Sequence, residues 1–557
     1  MQAADTIMAE RSSFRIAEIA AGPLLLFVLL IALFAGPTAA QTDAQMNRAF
    51  VRIHVLDLLE NEARLPLPVQ QRREALKAYY EGVENDLLFI GTNRAPGLID
   101  RLTNAASDGL QPSDYPTAQL AALVDALPNT DQRSQAVIEL HLAAAYLQYV
   151  SDLKVGRFLP SHIDPDFFLA ERKIDQTAAL ENLARSESIS AIIDAYEPPS
   201  PDYEALKKML AEYRGIQARG GWPSVPMGET LKPGMQDGRV LALRARLDVT
   251  DPGISPAEDP TIYDGHLEDR VKRFQARMGL DVDGAVGPAS YAALNTPVDD
   301  RINAIIVSME RWRWMPDNLG DEYIIVNIAG FELRRYDHGN EVERMAVVVG
   351  KPYTRTPVFS DQIEYLEINP YWNVPSSIIF GEMLPELRSD PGGLASRGFE
   401  AVRGDQVYDL RSIDWNAYGQ GNFPFTIRQR PGANNALGQV KFMFPNSHDV
   451  YLHDSPARSL YSRSVRAFSH GCIRLARPLE LIPQVLAAGG VSGWNKSKVD
   501  QVLATGERTI VSLSRKLPVH ITYLTAWSDN GVPNFRADIY EHDQKLLAAL
   551  DGRSLAW

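Results

Sequence analysis

The sequence predicts an α+β protein of several domains, and three observations support this class. Apolar residues recur at helical spacing between about residues 45 and 222, for example at Val137, Leu140 and Ala144. From about residue 301 onward, strand-like runs bounded by Gly, Asn and Asp dominate instead. A chain of 557 residues has room for several domains, and 45% hydrophobic residues is ordinary for folded protein. We therefore expect an all-α part followed by a mostly β part.

The first 40 residues have the pattern of an export signal. Arg11 and Arg15 precede an apolar run from Leu24 to Ala35, and small residues follow up to Ala40. This run is shorter than the about 20 apolar residues that a membrane-spanning helix needs. We expect a signal peptide cleaved near Ala40, with an uncleaved membrane anchor as the alternative. Either one would place the rest of the chain outside the cytoplasm.

Charge and cysteine content exclude several classes of protein. The formal net charge of -14 argues against a nucleic-acid partner, because phosphate binding needs a basic face. Cys472 is the sole cysteine, so no disulfide can form within the chain. The sequence shows no metal-ligand cluster and no cofactor motif, and we expect no cofactor.

A small helical module is expected over residues 228–297. Leu267, Val271 and Phe274 form an apolar stripe at helical spacing. The turn over residues 279–284 contains Asp-x-Asp-Gly but lacks the distal Glu of a calcium-binding EF-hand loop. We interpret it as a turn between helices.

Strand patterns characterise the chain after residue 320. Apolar residues either alternate with polar ones or form continuous runs, bounded by turn residues, over 323–328, 332–336 and 344–349. Residues 301–315, which precede these strands, are predicted to form a linking helix. Between about residues 376 and 436 the strand pattern weakens and Gly and Pro are frequent. Because long irregular loops in compact domains are often functional lids, we expect a lid here.

The stretch Ser469-His470-Gly471-Cys472 is the most informative about chemistry. A cysteine attacks as its thiolate, and an unassisted thiol with a pKa of about 8.5 is mostly protonated at neutral pH. His470 and His453 could each take the proton, and Gly471 permits a sharp turn that would aim N–H groups at an oxyanion. A lone cysteine is more often a small buried hydrophobe. The polar, turn-like surroundings nevertheless favour a nucleophile.

These residues resemble a known family. The motif that carries the resemblance consists of His453, then Ser469-His470-Gly471-Cys472 and Arg474, supported by the runs 369–375 and 437–442. It resembles the signature of the L,D-transpeptidases that cross-link bacterial peptidoglycan, over roughly residues 322–540. Residues 271–287 resemble the small three-helix peptidoglycan-binding domain. The layout is similar to the long periplasmic form of the family, which implies a sandwich-like β domain with an irregular or helical lid insertion.

The resemblance and the patterns together predict the domain boundaries. They are 1–40, signal peptide or membrane anchor; 41–227, helical scaffold; 228–297, peptidoglycan-binding-like three-helix domain; 298–320, linking helix; 321–545, catalytic domain with a lid insertion over about 376–436; and 546–557, C-terminal tail.

By resemblance, the chain would be a periplasmic enzyme that joins stem peptides in 3-3 cross-links through a cysteine thioester, with release of D-alanine. The implied catalytic residues are Cys472 as nucleophile, His453 as general base, His470, Ser469 and Gly471. The N–H groups of Gly471 and Cys472 are the expected oxyanion donors. The implied substrate-binding residues are Arg474, Tyr451, Trp372 and Asn435.

Three alternatives stay open at this point. The same residues would serve an L,D-carboxypeptidase or other cysteine peptidase acting on stem peptides, or a transpeptidase that attaches a lipoprotein to the wall. A wall-binding structural protein with a dead site is the third. The expected partners are stem peptides and glycan, with other wall-synthesis enzymes as a further possibility, and the membrane only through an uncleaved N-terminal segment. The resemblance also implies acylation by carbapenems.

Overall fold

The structure is a computed structural model that describes residues 39–61, 65–82, 85–251 and 258–552. The predicted export signal falls almost entirely on residues 1–38, outside the described part. Among the residues that are described, no helix is both long and apolar enough to cross a membrane.

Helices fill the first half of the described chain and recur around the later strands. They are α1 Ala39–Asn61, α2 Leu67–Gln70, α3 Arg73–Glu81, α4 Arg94–Thr103, α5 Thr117–Ala126, α6 Gln132–Val155, α7 Pro160–Ile163, α8 Gln176–Arg185, α9 Ile189–Asp194, α10 Pro201–Ala218, α11 Arg239–Thr250, α12 Gly265–Met278, α13 Pro288–Asn295, α14 Val298–Trp314, α15 Ser376–Ile378, α16 Leu384–Ser389, α17 Pro391–Ser396, α18 Pro478–Ala488, α19 Lys496–Thr505 and α20 His542–Gly552.

The N-terminal helices pack around α6, whose residues 138–150 are all buried. The helix begins at the cap Asp131, whose carboxylate accepts the N–H of Ser134 at 2.7 Å. A helix buried on all sides must be surrounded by other elements, which explains its central place. Its buried Glu139 accepts the hydroxyl of Tyr80 at 2.6 Å and the N–H of Ile90 at 2.8 Å, so the buried carboxylate is satisfied by hydrogen bonds.

The small module has its own core, formed by α11, α12 and α13. Asp264 caps α12 by accepting the N–H of Leu267 at 2.8 Å, and Gly279 ends the helix in the left-handed conformation. In the following turn, Asp283 accepts the N–H of Ala285 and the side-chain amide of Gln275, each at 2.8 Å. The Asp-containing turn therefore organises the helix connection, as its sequence indicates.

The later half of the chain is built on strands. They are β1 Glu322–Asn327, β2 Glu332–Asp337, β3 Asn340–Gly350, β4 Phe359–Ile368, β5 Trp372–Asn373, β6 Phe399–Arg403, β7 Gln406–Tyr408, β8 Thr426–Gln429, β9 Val440–Met443, β10 Leu452–His453, β11 Ala467–Ser469, β12 Ile473–Leu475, β13 Thr509–Thr522, β14 Ala526–Asp529 and β15 Val532–Phe535.

The main sheet has the order β11-β3-β12-β10-β9-β4-β13-β1-β2, and β2 also pairs with β3. The sheet therefore closes on itself, whereas the resemblance implied a sandwich-like sheet. Alternating side chains of these strands fill one core, which includes Leu333, Val347, Leu366 and Leu452, each fully buried. The predicted α+β class with a mostly β later domain is confirmed.

The insertion between β4 and β9 is more regular than the sequence predicts. It contains a separate four-stranded sheet, β5-β8-β6-β7, and a core that includes Leu387, Trp415 and Ile427. Its strands have two to five residues and are separated by Gly- and Pro-rich turns, so they are too short to produce a clear alternating pattern. The expectation of an irregular or helical insertion is corrected to an ordered subdomain that combines short helices with a small sheet.

The linking helix α14 is buried between the two halves of the molecule. Its Arg311 pairs with Asp543 at 2.5 Å, and its Arg313 pairs with Glu310 at 2.9 Å. The predicted C-terminal tail is also corrected, because α20 continues through it to Gly552. Leu546 packs in the core of the main sheet, so residues 546–552 belong to the folded domain.

A cluster of ionisable groups joins the helical domain to α20. Asp164, Asp166 and His542 lie within 4.8 Å of one another. The carboxylate of Asp164 accepts hydrogen bonds from His542 Nδ1 at 2.7 Å and from Lys545 Nζ at 2.5 Å. The carboxylate of Asp166 forms an ion pair with Arg355 at 3.0 Å. Because cations already neutralise both carboxylates, the cluster is an ion-pair network rather than a candidate metal site.

Acidification is expected to destabilise the fold through His542. Burial lowers the pKa of His542 to about 4, whereas the ordinary value is 6.5. Between these values the unfolded chain binds more protons, so the free energy of unfolding falls as the pH drops from 6.5 to 4. The loss is at most about 3 kcal/mol, at about 1.4 kcal/mol for each unit of pKa.

Urea denaturation at several pH values measures this effect. His542→Gln should flatten the pH dependence in that interval. His266 is exposed, and His266→Gln should keep the pH dependence of the wild type. A wild-type protein with the same stability at both ends of the interval would contradict the prediction.

Candidate active site

His453 and three charged residues project from one face of four adjacent strands. Across β4, β9, β10 and β12 the Cα partners are Glu367, Lys441, His453 and Arg474 in succession. Their neighbours in the adjacent row, among them Leu452 and Ile473, are fully buried in the core. Since side chains alternate between faces, the four ionisable groups point away from the core together.

A cavity of about 1130 Å³ lies over this row of side chains. Its floor is the main sheet, and its wall opposite the sheet comes from the insertion through residues such as Trp372, Ser376 and Glu382. The predicted lid segment therefore borders the space above Cys472. The cavity is larger than many small-ligand sites, which measure about 300–1,000 Å³, and suits an extended ligand.

His453 is held as a neutral base. Its Nδ1 lies 2.5 Å from the carbonyl oxygen of Asp454, and the residue is 3% exposed. A carbonyl only accepts hydrogen bonds, so Nδ1 carries the proton and Nε2 is left as the proton acceptor. Burial, followed by the nearby Arg474 cation, lowers the pKa of His453 to about 3. The sequence did not identify this partner, because the orienting group is a main-chain carbonyl.

The thiol of Cys472 is protonated in its resting environment. Sγ lies 3.5 Å from the carbonyl oxygen of Asp449 and is positioned to donate to it. Burial raises the pKa of the thiol, while hydrogen bonds from the main chain and side chain of Tyr451 oppose this shift. A base is therefore needed to form the thiolate at neutral pH.

Ser469 fixes the turn that presents the thiol. Its hydroxyl donates to the carbonyl of Cys472 at 2.6 Å and accepts the N–H of Gly471 at 3.1 Å. The expectation that the Gly471 N–H binds an oxyanion is therefore corrected, since this donor is already used. Gly471 has φ +119°, a conformation that other residues rarely adopt. The N–H of Cys472 is left as the candidate oxyanion donor of this turn.

The remaining predicted residues have different positions. Arg474 lines the cavity, and its Nε has no hydrogen-bond partner among the described residues. Tyr451 and Trp372 line the cavity as predicted, with the Tyr451 ring centroid 5.6 Å from that of His453. Asn435 is wrongly predicted as a wall residue. It is 1% exposed and lies outside the cavity lining, because its amide donates to main-chain carbonyls, including that of Pro370 at 3.1 Å.

Two residues that sequence reasoning missed organise the site. Lys441 lies 4.5 Å from the centroid of the Tyr451 ring, and its cation lowers the pKa of Cys472. Asn446 accepts the N–H of His448 at 2.9 Å and so shapes the loop that contains Asp449. Its turn-forming sequence, Pro-Asn-Ser-His-Asp, was the available signal for this loop.

His470 points toward the insertion, and its Nε2 lies 2.7 Å from Oε1 of Glu382. Glu382 lies in the π-helical turn Ile379–Met383, a geometry that is frequent at functional sites. The pair therefore connects the nucleophile turn to the predicted lid.

Loss of this pair is expected to loosen the insertion. Glu382→Gln should increase hydrogen exchange in residues 376–389 and slow acylation of Cys472 about twofold to fivefold, because a partly exposed ion pair contributes at most about 1 kcal/mol. Glu386→Gln is the matched control, since Glu386 lies on the same segment and pairs with Arg397, remote from the thiol. Equal exchange in the two variants would contradict the prediction.

Comparison with known proteins finds matches to three domain families. Residues 321–513 match the family model of the L,D-transpeptidase catalytic domain, residues 237–294 that of a peptidoglycan binding domain, and residues 74–210 that of a scaffold domain. A Haemophilus influenzae protein named "Putative L,D-transpeptidase" is 33% identical over 246 residues, which are 44% of this chain and 49% of that protein. The chain thus spans about half the length of this relative.

Two solved structures have lower sequence identity to this chain. An L,D-transpeptidase from Mycobacterium smegmatis is 15% identical, with 36% of this chain and 58% of that chain covered and a TM-score of 0.19. An L,D-transpeptidase from Xylanimonas cellulosilytica is 14% identical, with coverages of 53% and 98% and a TM-score of 0.16. The family models and the sequence relative carry the assignment. The chain therefore carries an L,D-transpeptidase catalytic domain together with a peptidoglycan-binding domain and a scaffold domain.

Proposed function

We propose that this protein is an exported peptidoglycan L,D-transpeptidase that forms 3-3 cross-links between stem peptides. One observation supports this proposal most strongly: the sole cysteine lines the same large cavity as a neutral imidazole whose Nδ1 is fixed by a carbonyl. That arrangement provides a nucleophile and a general base, which acyl transfer requires.

The first half-reaction forms a thioester. Cys472 Sγ attacks the carbonyl that joins the third residue of a donor stem to D-alanine, and His453 Nε2 takes the thiol proton. The C–N bond then breaks, and His453 returns the proton to the amine of the leaving D-alanine. The N–H of Cys472 stabilises the oxyanion, a contribution of about 3 kcal/mol per donor in comparable sites.

The second half-reaction transfers the acyl group. The side-chain amine of an acceptor stem attacks the thioester, His453 takes a proton from this amine, and the C–S bond breaks. The proton then returns to the thiolate of Cys472. Exclusion of water by the insertion favours the amine over hydrolysis of the thioester.

Cations in the cavity suit the carboxylates of the stem peptides. Arg474 is half-buried and faces the cavity without an acidic partner among the described residues. Since a guanidinium binds a carboxylate through two parallel hydrogen bonds, we assign Arg474 to a stem-peptide carboxylate. We propose the peptidoglycan-binding domain as the part that brings the enzyme to glycan, and the periplasm as its location.

Intact-protein mass spectrometry tests the reaction. The purified protein and Cys472→Ala are incubated with a disaccharide-tetrapeptide, and products are analysed over time. We expect an adduct equal to the substrate minus D-alanine in the wild type, no adduct in the variant, and resolution of the adduct to a cross-linked dimer. Resolution to tripeptide alone in the presence of excess acceptor would indicate an L,D-carboxypeptidase. No adduct on a free thiol would contradict the proposal.

The pH dependence of acylation follows from the shifted pKa of His453. An ordinary imidazole would lose its base function as the pH falls through about 6.5. Because the pKa of His453 is lowered to about 3, this loss is expected only at much lower pH. Acylation by a carbapenem, followed by mass spectrometry between about pH 5 and 8, should show no descending limb near pH 6.5. A limb at that position would contradict the assignment of a neutral buried base.

A further inference from the structure

The helical domain reaches the nucleophile through one short segment, Asp164–Phe168, which we call the docking segment. Phe167 is 2% exposed and packs in the core of the main sheet, although it belongs to the helical half of the chain. The N–H of Val358 donates to the carbonyl of Asp166, and the N–H of Phe168 donates to the carbonyl of Val358, each at 2.8 Å. The segment is therefore hydrogen-bonded to the chain just before β4.

The first connection to Cys472 passes through residues 355–358. Asp166 Oδ2 pairs with Arg355 Nη1 at 3.0 Å, while the pairing with Val358 holds the other end. Between these two points, the hydroxyl of Thr356 donates to the carbonyl of Gly471 at 2.7 Å. Gly471 immediately precedes the nucleophile, so the docking segment fixes the loop before β4 that supports the catalytic turn.

The second connection passes through an aromatic stack. The ring of Phe168 lies 4.1 Å from that of His448, which lies 5.1 Å from Phe359 on the sheet. The next residue, Asp449, has φ +54°, and its carbonyl is the oxygen that Cys472 Sγ contacts. A non-glycine residue in this conformation needs support from its surroundings, and the stack provides it.

We propose that Asp166 and Phe168 are positioning residues for Cys472, through which the helical domain takes part in catalysis. The two connections start two residues apart and end at the carbonyl of Gly471, just before Cys472, and at the carbonyl of Asp449, which Sγ contacts. Neither residue contacts the thiol. The inference rests on the proposed function where turnover is concerned, but the position of the thiol can be measured without it.

The full-length variants Asp166→Asn and Phe168→Ala test this proposal, and the helical domain offers matched controls. Asp57 pairs with Arg133 at 3.0 Å, the same distance as the pair of Asp166 with Arg355. Phe50 and Phe168 are each 50% exposed. Asp57→Asn and Phe50→Ala therefore remove equivalent groups that lie far from the site.

Two rates are measured for each variant. Iodoacetamide alkylation reports the thiol directly, because Cys472 is the sole cysteine. When the loop is released, the half-buried thiol becomes more accessible, so alkylation at pH 7.5 should become about threefold to tenfold faster. Thioester formation with the tetrapeptide should become about tenfold slower, since misplacement of a reacting group by a fraction of an ångström is costly. Opposite changes in the two rates are the expected signature.

The outcomes separate positioning from simple stabilisation. Phe168→Tyr and Asp166→Glu, which keep the ring and the charge, should restore both rates. If Phe168→Ala and Asp166→Asn alkylate at the rates of their controls, the proposal is overturned, even where their thermal stability is lower. If the wild type forms no thioester with the tetrapeptide, the proposed function fails, while the alkylation rates still decide the positioning role.

Discussion

Replacement of His453 by glutamine is expected to slow acylation of Cys472 by about 10²- to 10⁴-fold, the usual contribution of a positioned general base. The thiol pKa is raised by burial, so without a proton acceptor little thiolate forms at neutral pH. Glutamine retains a polar side chain of similar reach but cannot take a proton in this pH range. The time course of adduct formation with the tetrapeptide, followed by intact-protein mass spectrometry, measures the effect.

His470→Gln is the matched control for this experiment. His470 lies two residues from Cys472, but its Nε2 meets Glu382 on the insertion. We therefore expect a change of only about twofold to fivefold, comparable with loss of an exposed ion pair. A larger loss from His470→Gln than from His453→Gln would reverse the assignment of the base.

Replacement of Arg474 by methionine is expected to raise the KM for the tetrapeptide about tenfold to a hundredfold, with a smaller change in kcat. The reason is that a charged hydrogen bond contributes about 1.5–3 kcal/mol, and Arg474 faces the cavity without an acidic partner among the described residues. Methionine retains the length of the side chain and removes the charge. Steady-state kinetics of D-alanine release measure both constants.

An amidated substrate identifies the group that Arg474 binds. If Arg474 binds a stem-peptide carboxylate, amidation of that carboxylate should weaken binding to the wild type but not to Arg474→Met. Additive effects of the substitution and the amidation would show that the two groups do not interact. Arg474→Lys should bind the tetrapeptide more tightly than Arg474→Met but less tightly than the wild type, because an ammonium has the positive charge but cannot form bidentate hydrogen bonds.

The sequence predicted the centre of the site well for a physical reason. His453 and Arg474 lie at paired positions on two parallel strands, and Cys472 follows a turn that only glycine permits. Because each of these positions requires a particular residue type, together they form a local motif that can be recognised in the sequence. The predicted placement of Cys472 and His453 in one cavity depends on this motif.

The errors concern groups whose role depends on distant partners. Asn435 and the N–H of Gly471 have the chemistry of binding groups, but each is already satisfied, by main-chain carbonyls and by Ser469 respectively. Hydrogen-bond satisfaction is a three-dimensional property that spacing does not reveal. The strands of the insertion were missed because short strands produce too few alternations to recognise.

Contacts between the helical domain and the main sheet also could not be predicted from the sequence. Asp166 and Phe168 read as ordinary polar and apolar loop residues, since nothing in their neighbourhood indicates that they pair with Val358. Periodicity predicts which face of an element is buried, but not which domain covers it. The sequence therefore predicted a helical scaffold over residues 41–227 and no contact between it and the site.

The hydrogen-bonded contact between Asp164 and α20 has a consequence for how the chain folds. Asp164 and His542 are separated by 378 positions in sequence, yet they are hydrogen-bonded and fully buried. Contacts of such long range form late, because a large loop must close before they can be made. The helical domain can build its own core early, but its attachment must wait for the last helix of the chain. Refolding is therefore expected to end with a slow docking step in which Cys472 becomes protected from alkylation only after most of the helical signal has returned.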